Sequence, residues 1–124
     1  MERDSLKTLR PLIATSNSGG TKPIELFQNE VLRPIIKFQH HVIISIMKGN
    51  DQFIDLIRIK GPRLEFHQRI TVFIGKQREL KYRLIGFVVG LLTLDELAVY
   101  LENQKEFDKR IYQMICQRLV DTLY

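Results

Sequence analysis

The chain holds no tryptophan, a single cysteine and four prolines in 124 residues. One cysteine excludes an internal disulfide framework and a zinc ribbon built on several thiolates. Long apolar runs are missing too. The longest stretch free of charged residues, Gln and Asn extends only from Leu84 to Leu94, well short of the ~20 residues that a spanning helix needs. No membrane is therefore expected among its partners. No basic-then-apolar leader opens the sequence, so a cytoplasmic location is the expectation. Hydrophobic residues make up 44%, close to the ~45–50% of ordinary globular proteins, so one packed domain is expected.

Nineteen Lys and Arg against fourteen Asp and Glu give a net charge of +5. The excess sits in the middle third. Between residues 58 and 93, Arg58, Lys60, Arg63, Arg69, Lys76, Arg78, Lys81 and Arg83 stand against only Glu65 and Glu79. Residues 94–124 are net acidic. A local basic excess attracts phosphates or an acidic partner surface, although it also serves as a plain solvated face. Nucleic acid is a possible partner through Arg63, Arg69, Lys76, Arg78, Lys81 and Arg83.

Residues 1–22 read as a flexible N-terminal arm. Pro11 interrupts the short apolar stripe of Leu6, Leu9, Leu12 and Ile13, and Thr15 to Thr21 is a run of turn residues. Residues 23–124 read as the helical bundle domain. Ile24, Phe27, Val31, Ile35, Phe38, Val42 and Ile46 recur at helical steps, which predicts one long central helix over 23–48. Thr21 would cap it, and Pro23 loses no needed N–H in the first turn. Pro34 lies inside the pattern and deprives the Glu30 carbonyl of its partner, which predicts a kink there. Gly49-Asn50 is the expected stop.

A short helix is preferred to a strand over 51–60, because a lone strand would have no partner. Further helices are expected from Pro62 to Gly75 and from Glu79 to Leu92. Thr93-Leu94-Asp95-Glu96 is a capping box: the Thr93 hydroxyl accepts from the Glu96 N–H, and the Glu96 carboxylate accepts from the Thr93 N–H. The helix it starts should turn Leu94, Leu97, Ala98 and Leu101 inward. Asn103 should cap a last helix, with Glu106 three residues on. Asn-Gly and Asp-Gly hairpin signals are missing, as is any internal repeat. The expected fold is all-α: a compact bundle of about five helices around a long Pro-kinked central helix.

Catalytic groups are hard to assemble. His40 and His41 are neighbours, about 100° apart on a helix, so they do not face one metal easily. Neither H-E-x-x-H nor a Cys/His cluster is present. Cys116 lies late in the last helix beside Tyr112, Leu119 and Val120, where a buried structural thiol is expected. No catalytic residue, metal or cofactor is assigned. Gly86 and Gly90 form G-x-x-x-G, read as a packing groove inside the bundle or part of a self-association surface. Gln28, Asn29, Glu30, Arg33, Lys37, Gln39 and His40 make the long helix polar beside Pro34. These side chains would either line a small pocket or form a strip of surface ion pairs.

The string from Phe27 to Gln39, read as F-Q-N-x-x-L-R-P-I-x-K-x-Q, with Ile85 to Thr93, Tyr100, Asn103 and Lys109-Arg110, resembles a family of short bacterial helical proteins. Some members of that family carry the label glyoxalase. The resemblance implies a compact helical fold and brings no catalytic residues with it. A metal-dependent glyoxalase needs His and Glu ligands on a βαβββ framework, and a hydrolytic type needs a His/Asp-rich metal motif. If the long and last helices meet, Gln28, Asn29, Arg33, Lys37 and Arg110 would form one polar cluster of structural or ligand-binding use.

The leading functional expectation is a non-enzymatic interaction module, self-associating or bound to a protein partner through exposed apolar and basic surface. Nucleic-acid binding by the 58–83 segment is the alternative. Small-molecule binding, or an enzyme of the glyoxalase-labelled kind, at the polar patch near Pro34 is the third.

Overall fold

A computed structural model describes residues 3–11 and 22–124 of the chain. The expected cap Thr21, the turn-residue run and the apolar pair Leu12 and Ile13 lie outside the described residues. Within them the fold is all-α, with no strand. A 3-10 helix spans Arg3–Leu9, and eight α-helices follow: α1 (Pro23–Phe27), α2 (Arg33–Phe38), α3 (His40–Lys48), α4 (Asp51–Ile57), α5 (Arg63–Gly75), α6 (Arg78–Val89), α7 (Leu94–Glu102) and α8 (Gln104–Leu123).

The expectation of about five helices around one long kinked helix is corrected. The 23–48 stretch is divided into α1, a π-helical segment Gln28–Leu32, α2 and α3. Pro34 explains the first division. It has no N–H to give, and the backbone widens ahead of it so that the Arg33 N–H reaches the Gln28 carbonyl five residues back. Gln39 marks the second division, at φ −85° and ψ 6°. Its backbone still bonds in helical fashion on both sides, to Ile35 at 3.0 Å and from Ile43 at 2.9 Å. Its side-chain amide donates to the Phe87 carbonyl at 3.0 Å and pins this turn to α6.

The central element is instead α8, which packs against α5, α6, α2, α7 and the π segment. Two adjacent rows explain its place. Phe107, Ile111, Ile115 and Leu119 recur every fourth residue, with Tyr112, Cys116 and Val120 beside them, and all are buried. A stripe this broad needs neighbours on more than one side. Leu32, Ile35, Ile43, Met47, Phe53, Phe66, Ile70, Ile74, Leu84 and Val88 complete the core.

Several local signals act as expected, and several do not. Segment 51–57 is helical, and α5 lies between Pro62 and Lys76. The Thr93–Glu96 capping box is present in both directions. Asn50 begins a helix instead of merely ending one: its side chain accepts from the Phe53 N–H at 3.0 Å. Asn103 makes no cap bond to α8, because it is the single residue between α7 and α8 and sits at φ −136°, ψ 46°. Gly86 and Gly90 are both exposed. A Cβ on Gly86 would meet nothing within 4 Å, so no helix packs into that glycine patch.

The sharpest correction concerns α7. Leu94, Ala98 and Leu101 point to solvent, while Glu96 and Tyr100 are buried. The cause is a long-range ion pair. Arg10 Nη1 donates to Glu96 Oε2 at 2.7 Å and Nη2 to Oε1 at 2.6 Å. Glu96 Oε1 also accepts from the Thr93 N–H at 2.9 Å. Burial pushes the Glu96 carboxyl up, but the bonds from Arg10 and Thr93 outweigh it and hold the group below its ordinary range. Once Glu96 faces inward, the helical period carries Leu94, Ala98 and Leu101 out. Arg3 adds to the docking of residues 3–11 by donating to the Gly90 and Leu92 carbonyls, both at 2.8 Å.

Candidate functional site

The π segment, α2 and α8 enclose a cleft of about 410 Å³. Its cations are Arg33 at the start of α2 and Arg110 and Arg118 on α8. Gln28, Gln113, Gln117 and Thr122 supply neutral polar groups, and Ile36 and Met114 supply an apolar wall. Arg110 and Arg118 lie eight residues apart, about 12 Å along the axis, so they bracket the cleft lengthwise.

The three guanidinium groups are not equally free. Arg110 is held at both ends: Nε donates to Glu106 Oε1 at 2.9 Å and Nη1 to Gln28 Oε1 at 2.8 Å. Arg33 Nη2 donates to Asn29 Oδ1 at 3.3 Å. Arg118 Nη1 meets His40 Nδ1 at 3.2 Å. An arginine has only donors, so in this contact Nδ1 accepts and the imidazole is neutral. Burial, then Arg118, then His41 lower the His40 pKa. Burial and then the neighbouring Arg33 charge also lower Arg118, against the opposing pull of the Asp121 carboxylate, and Arg118 keeps its proton. Among the described residues, no carboxylate oxygen lies within 4.0 Å of the Arg33 or Arg118 guanidinium. The Asp121 carboxylate at the cleft edge is already engaged by Arg63 and by Gln117 Nε2.

Of the polar residues expected to cluster, Gln28, Arg33 and Arg110 share this cleft, and Asn29 braces Arg33 from outside it. Lys37 is exposed and is not part of the lining. Arg118, Gln113 and Gln117 join the lining without having been among the residues expected to cluster. The available signal was a charged residue inside the apolar line Phe107, Ile111, Ile115, which marks where the stripe opens to solvent.

The basic residues of the middle third are spread over four places. Arg63 pairs with Asp121 near the end of α8 and lies over the Tyr124 ring. Arg69 and Lys76 edge a cleft between α4 and α5. Arg78 and Arg83 line another with Asn50 and Glu79. Lys81 lies 4.7 Å from the Tyr112 ring centroid. Cys116 is buried. Burial raises its thiol pKa against the opposing bonds from Tyr112 and Thr71, which disfavours the nucleophilic thiolate. Among the described residues no group of three or more His, Cys, Asp or Glu is placed to hold a metal ion. No helix among them is long and apolar enough to cross a membrane. No protein-family model, curated protein or solved structure matches this chain.

Proposed function

We propose that this chain is a non-enzymatic binding module whose arginine cleft takes the phosphate or carboxylate group of a small ligand. One observation carries the reading: Arg33 and Arg118 share the cleft with no carboxylate oxygen within 4.0 Å of either among the described residues, and the charge of Arg33 disfavours that of Arg118, which the more distant Asp121 only partly offsets. An oxyanion between them removes that repulsion and accepts charge-assisted bonds, with the planar fork of each guanidinium matching its oxygens. Gln113, Gln117 and Thr122 would orient the rest of the ligand, and Ile36 with Met114 would cover an apolar part. The resemblance to the short bacterial helical family enters through its F-Q-N-x-x-L-R-P stretch, which supplies Gln28 and Arg33. Nucleic-acid binding by the 58–83 segment ranks lower, because Arg63, Arg69 and Lys81 are engaged by Asp121, the Ile59 carbonyl and an aromatic ring.

The test is thermal melting with inorganic phosphate, pyrophosphate or citrate against chloride at matched ionic strength. The polyvalent anions should raise Tm beyond chloride, and Arg33→Ala or Arg118→Ala should remove the extra rise with an unchanged circular dichroism spectrum. Equal melting in all four salts overturns the proposal.

A further inference from the structure

Helix α7 carries an apolar stripe that the described residues leave exposed. Leu94, Ala98 and Leu101 stand at i, i+4 and i+7, so they share one face. Leu94 is 66% exposed and Leu101 57%. Asp95 and Glu102, seven residues apart, flank that stripe on one side, about 80–100° round the helix. Both are exposed, and neither joins an ion pair among the described residues.

A complementary surface lies elsewhere on the molecule. Helices α4 and α5 bound an open cleft of about 540 Å³, lined by the apolar Leu56, Val72 and Phe73, by Arg69 and Lys76, and by Glu65 and Gln68; Arg69 also donates to the Ile59 carbonyl at 2.6 Å. Arg69 and Lys76 are also seven residues apart. On each helix the charged pair is therefore two turns apart, about 10.5 Å.

We propose that α7 of one copy docks in the α4–α5 cleft of a second copy of this chain. Leu94, Ala98 and Leu101 pack against Leu56, Val72 and Phe73, while Asp95 and Glu102 meet Arg69 and Lys76. Apolar packing supplies the adhesion, and the charges select the partner. A second copy is the fitting occupant because the acidic, apolar helix and the basic-edged apolar cleft belong to one chain with the same spacing. This inference is independent of the arginine cleft.

Sedimentation velocity over a concentration series tests it. Wild-type chain should associate as concentration rises. Arg69→Glu with Lys76→Glu should weaken association at least about tenfold, and so should Asp95→Lys with Glu102→Lys. Mixing the two double variants should restore it, because each then meets opposite charge. Circular dichroism and melting of each variant guard against misfolding. A wild-type chain that stays monomeric at hundreds of micromolar overturns the proposal and leaves the cleft to an acidic helix of another protein. Association untouched by either charge reversal overturns it, and so does a mixture that fails to restore what the separate variants lost.

Discussion

Arg10 closes a two-bonded ion pair on Glu96, the same carboxylate that completes the cap of α7, 86 residues away in sequence. The side chains are only 10% and 11% exposed. Removing one member of such a pair strands the other. Arg10→Ala should cost about 2–4 kcal/mol, read by urea unfolding at neutral pH. Lys7→Ala, on the exposed side of the same segment, should change stability by less than about 0.5 kcal/mol.

The same pair sets an acid dependence. The Glu96 pKa is depressed in the folded chain, so its stabilisation is fully present above the ordinary carboxylate value and is lost as pH falls through the folded value. Wild-type and Glu96→Gln proteins should differ by a constant amount down to about pH 5, and the difference should shrink below about pH 4. A difference that persists undiminished at lower pH would contradict the assignment.

His40 should titrate below the ordinary histidine value of 6.5 when followed by NMR. Burial is the largest cause and Arg118 the second, so Arg118→Gln should move the midpoint only part of the way back. Protonation of His40 also opposes the Arg118 contact. Stability should therefore fall as pH drops below the unfolded-state value toward the folded one, and less so in the variant.

Gly86→Ala should stabilise the chain by about 0.5–1 kcal/mol, since the new methyl meets open space inside a helix. Gly90→Ala should not, because its Cβ would lie 3.1 Å from the Gly86 carbonyl oxygen. Paired melting curves of the two variants distinguish this arrangement from a glycine-lined packing groove, in which both substitutions would destabilise.

The orientation of α7 can be checked by residue deletion. Leu101→Ala should be nearly neutral in dilute solution, within about 0.5 kcal/mol, whereas Tyr100→Ala should cost about 3–5 kcal/mol. Tyr100 is buried against Phe107 and donates its hydroxyl to Asp108.

These contrasts show which parts of the fold the residues announce locally. Thr93 with Glu96, Pro62 ahead of α5 and the two buried rows of α8 act through neighbours within a turn or two, so the periodic pattern reveals them. The inward face of α7 depends on Arg10, and hydropathy alone places Leu94, Ala98 and Leu101 on the wrong side. Pro34 advertises a disturbance, but the widened turn before it and the break at Gln39, fixed by the Phe87 carbonyl, depend on neighbouring backbone. In the cleft, Gln28, Arg33 and Arg110 stand out as polar residues on helices expected to meet. Arg118 shows only as the charged member of an otherwise apolar line.

The attachment of Arg3 and Arg10 to Gly90, Leu91, Leu92 and Glu96 also orders events during synthesis. These two arginines leave the ribosome long before their acceptors have been made, and such distant closures are slow to form. The docking of residues 3–11 is thus expected among the late steps of folding. Until then, the carboxylate of Glu96 waits at the head of α7 without its counter-ion.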